Sequence, residues 1–190
     1  MLYNEFNSYK NFANEKEKDV FNKIKNSIKK LYGKDGDKDL FERKLCERCL
    51  MFRLAYYLQK KFPNYFVDCE FNKMLSKNEN TEKINFNKLD EKPVKIDGKS
   101  GKMYTDIIIH KRNCNKKDNF VCIEIKRVKR SIENDKKRLK MMTNNKPLNY
   151  YAYDYGFFIY LPKDKCNSEI NIFKDGEEIK EIKKYALRRF

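Results

Sequence analysis

Two short segments in the middle of the chain, residues 103–110 and 120–128, are rich in isoleucine and valine yet carry isolated charged residues. β-Branched residues favour extended backbone, so each segment is predicted to form a strand. The basic residues 112–119 between them predict a hairpin connection. A sheet is therefore expected at the centre of the fold, with charged side chains on strands that are otherwise apolar.

Successive side chains of a strand point to opposite faces of the sheet. Asp106 therefore lies on one face of its strand, and Ile107 and Ile109 lie on the other. In the second strand Glu124 and Lys126 share a face, opposite to Ile123 and Ile125. Pairing the two strands can bring Asp106, Glu124 and Lys126 together.

Charged groups on apolar strands are costly unless they are paired or bound to a metal. Asp106, Glu124 and the backbone carbonyl of Ile125 would supply the hard oxygen ligands that Mg²⁺ prefers, and Mn²⁺ is an expected substitute. Lys126 could then orient a metal-bound water and stabilise its hydroxide form. The alternative is an ordinary cross-strand ion pair on a solvated sheet face.

The rest of the chain predicts helices around this sheet. The expected elements are one or two helices over 5–32, a turn at 33–37, a helix from Asp39 to Phe62 ended by Pro63, strands at 65–71 and 153–161, a helix at 131–143, a strand–turn–strand over 170–179 with its turn at Asp175-Gly176, and a final helix near 181–187. Residues 72–102 are predicted to form a long polar loop or insertion.

The fold class that this order predicts is α/β, with a small central mixed sheet flanked by helices. A chain of 190 residues is long enough for one domain and short for two. We expect a single domain made of an N-terminal helical extension (1–37), a core (38–162) that contains the 72–102 insertion, and a C-terminal hairpin and helix (163–190).

Glu47 falls within the helix predicted from Asp39 to Phe62, on the same side as Leu50, Leu54 and Leu58. At 3.6 residues per turn, this position directs its carboxylate towards the sheet. A carboxylate there needs a partner. Arg43, one turn earlier on the same helix, is one candidate, and a metal ion, bound directly or through water, is the other.

A helix with Glu47, a strand with Asp106, a strand with Glu124-Ile125-Lys126, and then a helix and a strand follow one another along the chain. This order resembles the PD-(D/E)XK nuclease superfamily, whose core is α-β-β-β-α-β. The resemblance covers residues 38–162.

The resemblance implies a restriction-endonuclease-like fold with an active site on the central strands. Asp106 and Glu124 would bind Mg²⁺, Lys126 would serve the attacking water, and Glu47 would be an auxiliary acidic residue and an additional candidate ligand. The sequence departs from the motif at Thr105, which stands where the motif has proline.

The charge of the chain is strongly basic, with a formal net value of +16. Residues 111–146 alone hold 13 basic and 4 acidic residues, a net of +9. Such a segment suits a polyanion, because each neutralised phosphate releases condensed counterions. The residues expected to contact nucleic acid are Lys129, Arg130, Lys136, Lys137 and Lys140. A solvated charged helix face is the alternative.

Two further residues are auxiliary candidates. His110 is the only histidine in the sequence, and alternation places it on the Asp106 face, where it could contact phosphate. A hydrogen-bonded histidine at a strand end is the commoner arrangement. Glu70 could reach the site if its strand lies beside that of Asp106, whereas a surface ion pair is the simpler expectation.

The six cysteines include one CxxC, Cys46 and Cys49, within the predicted helix. No second pair completes a zinc site, although zinc stays an alternative. The N-terminal residues do not resemble a secretory signal, so reduced thiols and a cytoplasmic location are expected. No segment has the apolar length that a membrane span needs.

Together these features favour a Mg²⁺-dependent nuclease of the PD-(D/E)XK type that hydrolyses DNA, in a defence, restriction or mobile-element role by analogy with the superfamily. Two alternatives remain: a non-catalytic module that binds nucleic acid or protein on the same fold, and an RNase. A homodimer, and a protein partner bound through residues 72–102, also stay open.

Overall fold

Six strands form one sheet in the computed structural model, which describes residues 14–33, 36–43, 45–71, 105–112, 118–145 and 151–179. The strands are β1 (Phe66–Phe71), β2 (Thr105–His110), β3 (Asn119–Lys126), β4 (Tyr155–Tyr160), β5 (Glu169–Lys174) and β6 (Glu177–Glu178). Their spatial order follows the chain. β3 and β4 run parallel, and the other neighbouring pairs are antiparallel. The predicted mixed sheet is confirmed.

Helices cover both faces of this sheet. They are α1 (Glu15–Tyr32), α2 (Lys38–Glu42), α3 (Glu47–Lys61) and α4 (Ile132–Thr143), with a short 3₁₀ helix at Lys165–Asn167. The apolar side chains of α1 and α3 pack with Ile107 and Ile123 on one face. On the other face, Leu139 and Met142 of α4 pack with Ile108. The α/β class with flanking helices is therefore confirmed. Within the described residues, the elements from α3 to β4 run in the order α-β-β-β-α-β.

The central strand β3 is covered on both sides, because the helical layers meet it from opposite directions. Each of its residues from Asn119 to Ile125 is buried. Alternation holds as predicted: Ile123 and Ile125 join the cluster under α1 and α3, whereas Cys122 joins the cluster under α4. Glu124 shares the Cys122 face and therefore lies in an apolar layer.

The helix predicted from Asp39 to Phe62 is in fact two helices, and this prediction was wrong. α2 ends at Glu42, and Cys46 adopts an extended conformation, with φ −66° and ψ 160°, immediately before α3. A break leaves helix-terminal carbonyls without helical partners. The Arg127 guanidinium donates to the Leu45 and Phe41 carbonyls, so a long-range contact stabilises the interruption.

Helix α1 begins at an asparagine N-cap, since Asn14 Oδ1 accepts a hydrogen bond from the Glu17 N–H at 2.9 Å. The turn that follows contains Gly36, where an added Cβ would lie 1.9 Å from the Lys30 carbonyl oxygen. No larger residue fits there without moving the backbone. Within the turn predicted at 33–37, Gly36 is therefore a sterically demanding position before α2.

The predicted strand–turn–strand at the C-terminal side is confirmed. β5 and β6 are joined by Asp175 and Gly176, which have φ values of +53° and +81°. Two consecutive positive φ values are typical of the two-residue hairpin turns that Asp-Gly favours. The predicted 72–102 insertion and the final helix near 181–187 lie outside the described residues, as do residues 5–13 of the first predicted helix.

Candidate active site

Asp106 lies near the start of β2 and is directed to the face that α4 covers. Its Oδ2 accepts a hydrogen bond of 2.7 Å from the backbone N–H of Ile125 on the neighbouring strand. Burial raises the pKa of Asp106, and the nearby carboxylates of Glu47 and Asp135 raise it further, against the lowering effect of this hydrogen bond and of Lys126. Asp106 is thus fixed to β3 at the level of the Glu-x-Lys motif.

Glu124 is the most deeply buried carboxylate of the site, with 1% of its surface exposed. Arg138 of α4 holds it through two hydrogen bonds, from Nε to Oε1 at 3.0 Å and from Nη2 to Oε2 at 3.3 Å. Burial raises the pKa of Glu124 well above its ordinary value; Asp106 adds to this effect, and Arg138 opposes it. The two hydrogen bonds and the positive charge of the Arg138 guanidinium offset the cost of burying the Glu124 carboxylate.

Lys126 ends β3 and is half-buried between two carboxylates. Its Nζ lies 3.4 Å from Glu47 Oε1 and 3.3 Å from Asp135 Oδ2. Burial alone would lower the pKa of Lys126, but Asp135, Glu47 and Asp106 outweigh this effect and raise it. Lys126 is therefore held as a cation among the carboxylates.

Glu47 is the first residue of α3, and its position follows from the helix break. Its Oε2 accepts the backbone N–H of Arg127 at 2.9 Å, while Oε1 faces Lys126. The carboxylate therefore points to the end of β3, as the helical spacing predicted. It contacts Lys126 and the Arg127 N–H, and the suggested pairing with Arg43 is not among its contacts in the described residues.

Asp135 and Arg138 also belong to the site, and the sequence interpretation missed the role of both. Asp135 is 2% exposed and pairs with Arg138 one turn later on α4, as well as with Lys126. The spacing of Ile132, Asp135, Leu139 and Met142 places Asp135 on the apolar stripe of α4. This is the same signal that identified Glu47, so it could have found Asp135.

The four acidic residues Glu47, Asp106, Glu124 and Asp135 form what we term the carboxylate cluster. Two cationic side chains, Lys126 and Arg138, pair with it. When all six groups are ionised, the cluster keeps an excess of two negative charges. Burial is the largest cause of the raised pKa values of Asp106, Glu124 and Asp135, and neighbouring carboxylates raise them further, since each ionised carboxylate disfavours ionisation of the next.

The donor chemistry of the carboxylate cluster fits a divalent cation. Asp135 Oδ2 is buried, and its neighbour is the Lys126 ammonium nitrogen at 3.3 Å. Buried carboxylate oxygens and excess negative charge are what Mg²⁺ or Mn²⁺ would relieve. The Ile125 carbonyl, predicted as a third ligand, belongs to the residue whose N–H holds Asp106.

The arrangement is nevertheless not a ready-made metal centre. Among the described residues, no three His, Cys, Asp or Glu side chains converge as metal ligands. Glu124 is ion-paired with Arg138, and Lys126 is ion-paired with Asp135. Binding by Glu124 would require its release from Arg138.

The five basic residues predicted to contact nucleic acid differ in their surroundings. Lys129, Lys136 and Lys140 form ion pairs with Glu169, Glu178 and Glu177 of β5 and β6. Arg130 and Lys137 are exposed. Part of the predicted basic surface therefore ties α4 and its flanking segment to the last hairpin, an arrangement close to the alternative of a solvated charged face.

The two auxiliary candidates are engaged elsewhere. His110 is buried at the far end of β2, with Nε2 2.8 Å from Asp68 Oδ2, and Arg112 grips the same carboxylate. β1 does lie beside β2, but Glu70 is exposed and pairs with Arg48 at 2.8 Å. Both residues therefore adopt the simpler arrangement that the sequence left open, a bonded strand-end histidine and a surface ion pair.

Comparison with known proteins gives no match to a protein-family model, to a curated protein sequence or to a solved structure. Within the described residues, none of the helices combines the length and the apolar character that crossing a bilayer requires.

Proposed function

We propose that the protein is a metal-dependent nuclease that hydrolyses phosphodiester bonds, with DNA as the substrate and a restriction-endonuclease-like fold. The observation that supports this best is the convergence of Asp106, Glu124 and Lys126 on one buried sheet face. Strand alternation predicted that these three share a face. Asp135 of α4 pairs with Lys126 on that face, and Glu47 of α3 reaches Lys126 at the end of β3. A purely structural role would be served equally well by apolar residues, which avoid the desolvation of six charged groups.

Each side chain has a role that follows from its contacts. Asp106 is positioned by the Ile125 N–H, and Glu124 lies opposite it on the next strand. Lys126 remains charged, because its pKa is raised, so it stabilises an anionic nucleophile or a phosphate oxygen instead of removing a proton. Glu47 and Asp135 hold the ammonium group in place.

Mg²⁺, held by Asp106 and Glu124 with Glu47 or Asp135 as a further ligand, would activate water and neutralise charge that develops on the scissile phosphate. Metal binding would require Arg138 and Lys126 to change their contacts with these carboxylates. Arg138 has a second carboxylate partner in Asp135, so it can leave Glu124 without losing its counter-charge.

The proposed substrate follows from charge. The segment 111–146, with its net charge of +9, includes β3 and the residues on both sides of it. Arg130, before α4, and Lys137, on α4, are exposed. Exposed basic side chains next to a buried acidic site would hold a phosphate backbone by charge, without regard to base sequence. DNA is favoured over RNA through the resemblance of the motif order alone.

The test is a cleavage assay with supercoiled plasmid, linear duplex, single-stranded DNA and RNA, each with Mg²⁺, Mn²⁺ or EDTA. We expect cleavage of DNA that EDTA abolishes and that Asp106→Asn and Lys126→Met each reduce by about a hundredfold or more. Asp39→Asn, an exposed acid on α2, and Lys163→Met, an exposed lysine, are the matched controls. Cleavage that persists in both site variants would contradict the assignment.

One observation favours a second candidate, a non-catalytic module that binds nucleic acid. Arg138 neutralises Glu124 without a metal, which suits a site that has become structural. That module would bind the same DNA in EDTA and in Mg²⁺ with equal affinity and would cleave none of the four substrates.

A further inference from the structure

The interruption between α2 and α3 changes the setting of the CxxC. Cys46 is not inside a helix but occupies the N-cap position of α3, and Cys49 lies in the first turn of that helix. The two sulfur atoms are 3.4 Å apart, in direct contact. Cys46 is exposed and Cys49 is partly exposed, so reagents can reach both.

The two thiols differ in accessibility. Cys46 is exposed just before α3, whereas Cys49 lies within the first turn and is only partly exposed, so a disulfide in solution reaches Cys46 more easily. Of the other cysteines whose side chains the structure describes, Cys69 is partly exposed and Cys122 is buried.

We propose that Cys46 and Cys49 form a redox-active dithiol, a site of thiol–disulfide exchange whose attacking sulfur is Cys46 and whose resolving sulfur is Cys49. The substrate class is a small accessible disulfide, of which oxidised glutathione is the probe. This proposal stands independently of the nuclease proposal.

The exchange balances in two steps. The Cys46 thiolate attacks the disulfide RSSR, which forms a Cys46–S–S–R bond and releases RS⁻. Cys49 then loses its proton, and its thiolate attacks the Cys46 sulfur and displaces a second RS⁻. The protein loses two electrons and two protons, and one disulfide becomes two thiols, 2 RSH.

Closing the bond requires little movement. A disulfide has a sulfur–sulfur distance of about 2.05 Å, so the two atoms must approach by roughly 1.4 Å. Both residues lie at a helix end whose first N–H groups have no helical partners, so the change is confined to the first turn. A zinc thiolate is the competing use of a CxxC, but the described residues provide no group of three ligands.

The position of Arg48 makes the bond directly observable. Trypsin cleaves after Lys44, Arg48 and Arg53, so Cys46 and Cys49 fall on separate peptides, 45–48 and 49–53. A disulfide joins these two peptides, and reduction separates them. The full chain, with Cys114 and Cys166 replaced by serine, is equilibrated in graded mixtures of reduced and oxidised glutathione and quenched with acid. Free thiols are then alkylated, the protein is digested with trypsin, and the peptides are identified by mass spectrometry.

We expect the linked peptide to appear as oxidised glutathione increases, and Cys49→Ser to accumulate a mixed disulfide on Cys46. Cys46→Ser should give neither, and Cys69→Ser should leave the result unchanged. Iodoacetamide at pH 7 should alkylate Cys46 at least about tenfold faster than Cys69, because Cys46 is exposed and Cys69 is only partly exposed. No linked peptide at any ratio, or adducts on Cys49 as abundant as on Cys46, would overturn the proposal.

Discussion

Arg138→Met is the substitution that tests the carboxylate cluster most directly. Methionine keeps much of the aliphatic length of arginine and removes the charge that holds Glu124. Lys137→Met, at the exposed neighbouring position on α4, removes the same charge without touching the cluster. Any difference between the two variants therefore reports on the buried ion pairs and not on net charge.

The expected magnitude follows from burial. Removing one partner of a buried ion pair costs about 3–5 kcal/mol, because the other charge is left without compensation. The Arg138 side chain is 17% exposed, so we expect the lower end, about 3 kcal/mol in EDTA. For a chain of this size, that lowers Tm by roughly 6–12 °C. Lys137→Met should change the free energy of unfolding by less than about 0.5 kcal/mol.

Metal then discriminates between the two proposed uses of Glu124. A ligand at one hundred times its Kd stabilises a protein by about 2.7 kcal/mol. In the native chain, Mg²⁺ must displace Arg138 from Glu124, and hydrogen bonds to charged groups contribute about 1.5–3 kcal/mol. We therefore expect Arg138→Met to bind Mg²⁺ at least about tenfold more tightly than the native protein and to recover most of its lost stability.

The assay is denaturant unfolding in EDTA and at increasing MgCl₂, with calorimetric titration for affinity. Equal stability of Arg138→Met and Lys137→Met in EDTA would show that the ion pair does not sustain the buried Glu124. Equal Mg²⁺ increments in the native and Arg138→Met proteins would show that Arg138 does not compete with the metal. No increment in either would refute metal binding by the carboxylate cluster.

Three further outcomes are expected. Three members of the carboxylate cluster have pKa values raised above the ordinary 3.8 or 4.5, so these groups hold more protons in the folded state than in the unfolded state. Without metal, the free energy of unfolding should therefore decline as pH rises above that range. Mg²⁺ should reverse this trend in unfolding titrations from pH 5 to 8. Glu47→Gln should lower cleavage and cost about 1 kcal/mol in denaturant unfolding, because it weakens the contact to Lys126 and to the Arg127 N–H; an unchanged activity would remove it from the site. Gly36→Ala should destabilise the protein by about 1–3 kcal/mol, whereas Gly33→Ala, with 3.3 Å to the nearest atom, should cost less in the same measurement; equal costs would refute the steric argument.

The parts of the fold that depend on neighbouring residues could be predicted from the sequence. Alternation placed Asp106, Glu124 and Lys126 on one face, because the period of a strand is a local property. The Asp175-Gly176 turn followed equally from the two residues that form it. In both cases, the information lies within a few positions of the chain.

The features that were missed depend on contacts between distant residues. The break before α3 is stabilised by Arg127, about eighty positions later, and no local signal in the apolar pattern marks it. Arg138 looked like one more residue of a basic helix, because only the crossover that follows β3 brings it to Glu124. Asp135 did have a local signal, because it lies on the apolar stripe of α4. The many lysines around it made this helix look like a basic surface helix.

The single parallel pair that the structure describes, β3 with β4, also constrains how the chain can fold. A parallel pair needs a crossover, and here α4 is that crossover. α4 carries both the apolar cover for this sheet face, Leu139 and Met142, and the counter-charge for Glu124. The sheet face that carries Glu124 is therefore desolvated by the same helix that supplies Arg138. Desolvation and charge compensation become one cooperative event, and a β2–β3 hairpin formed early would stay hydrated on that side until α4 docks.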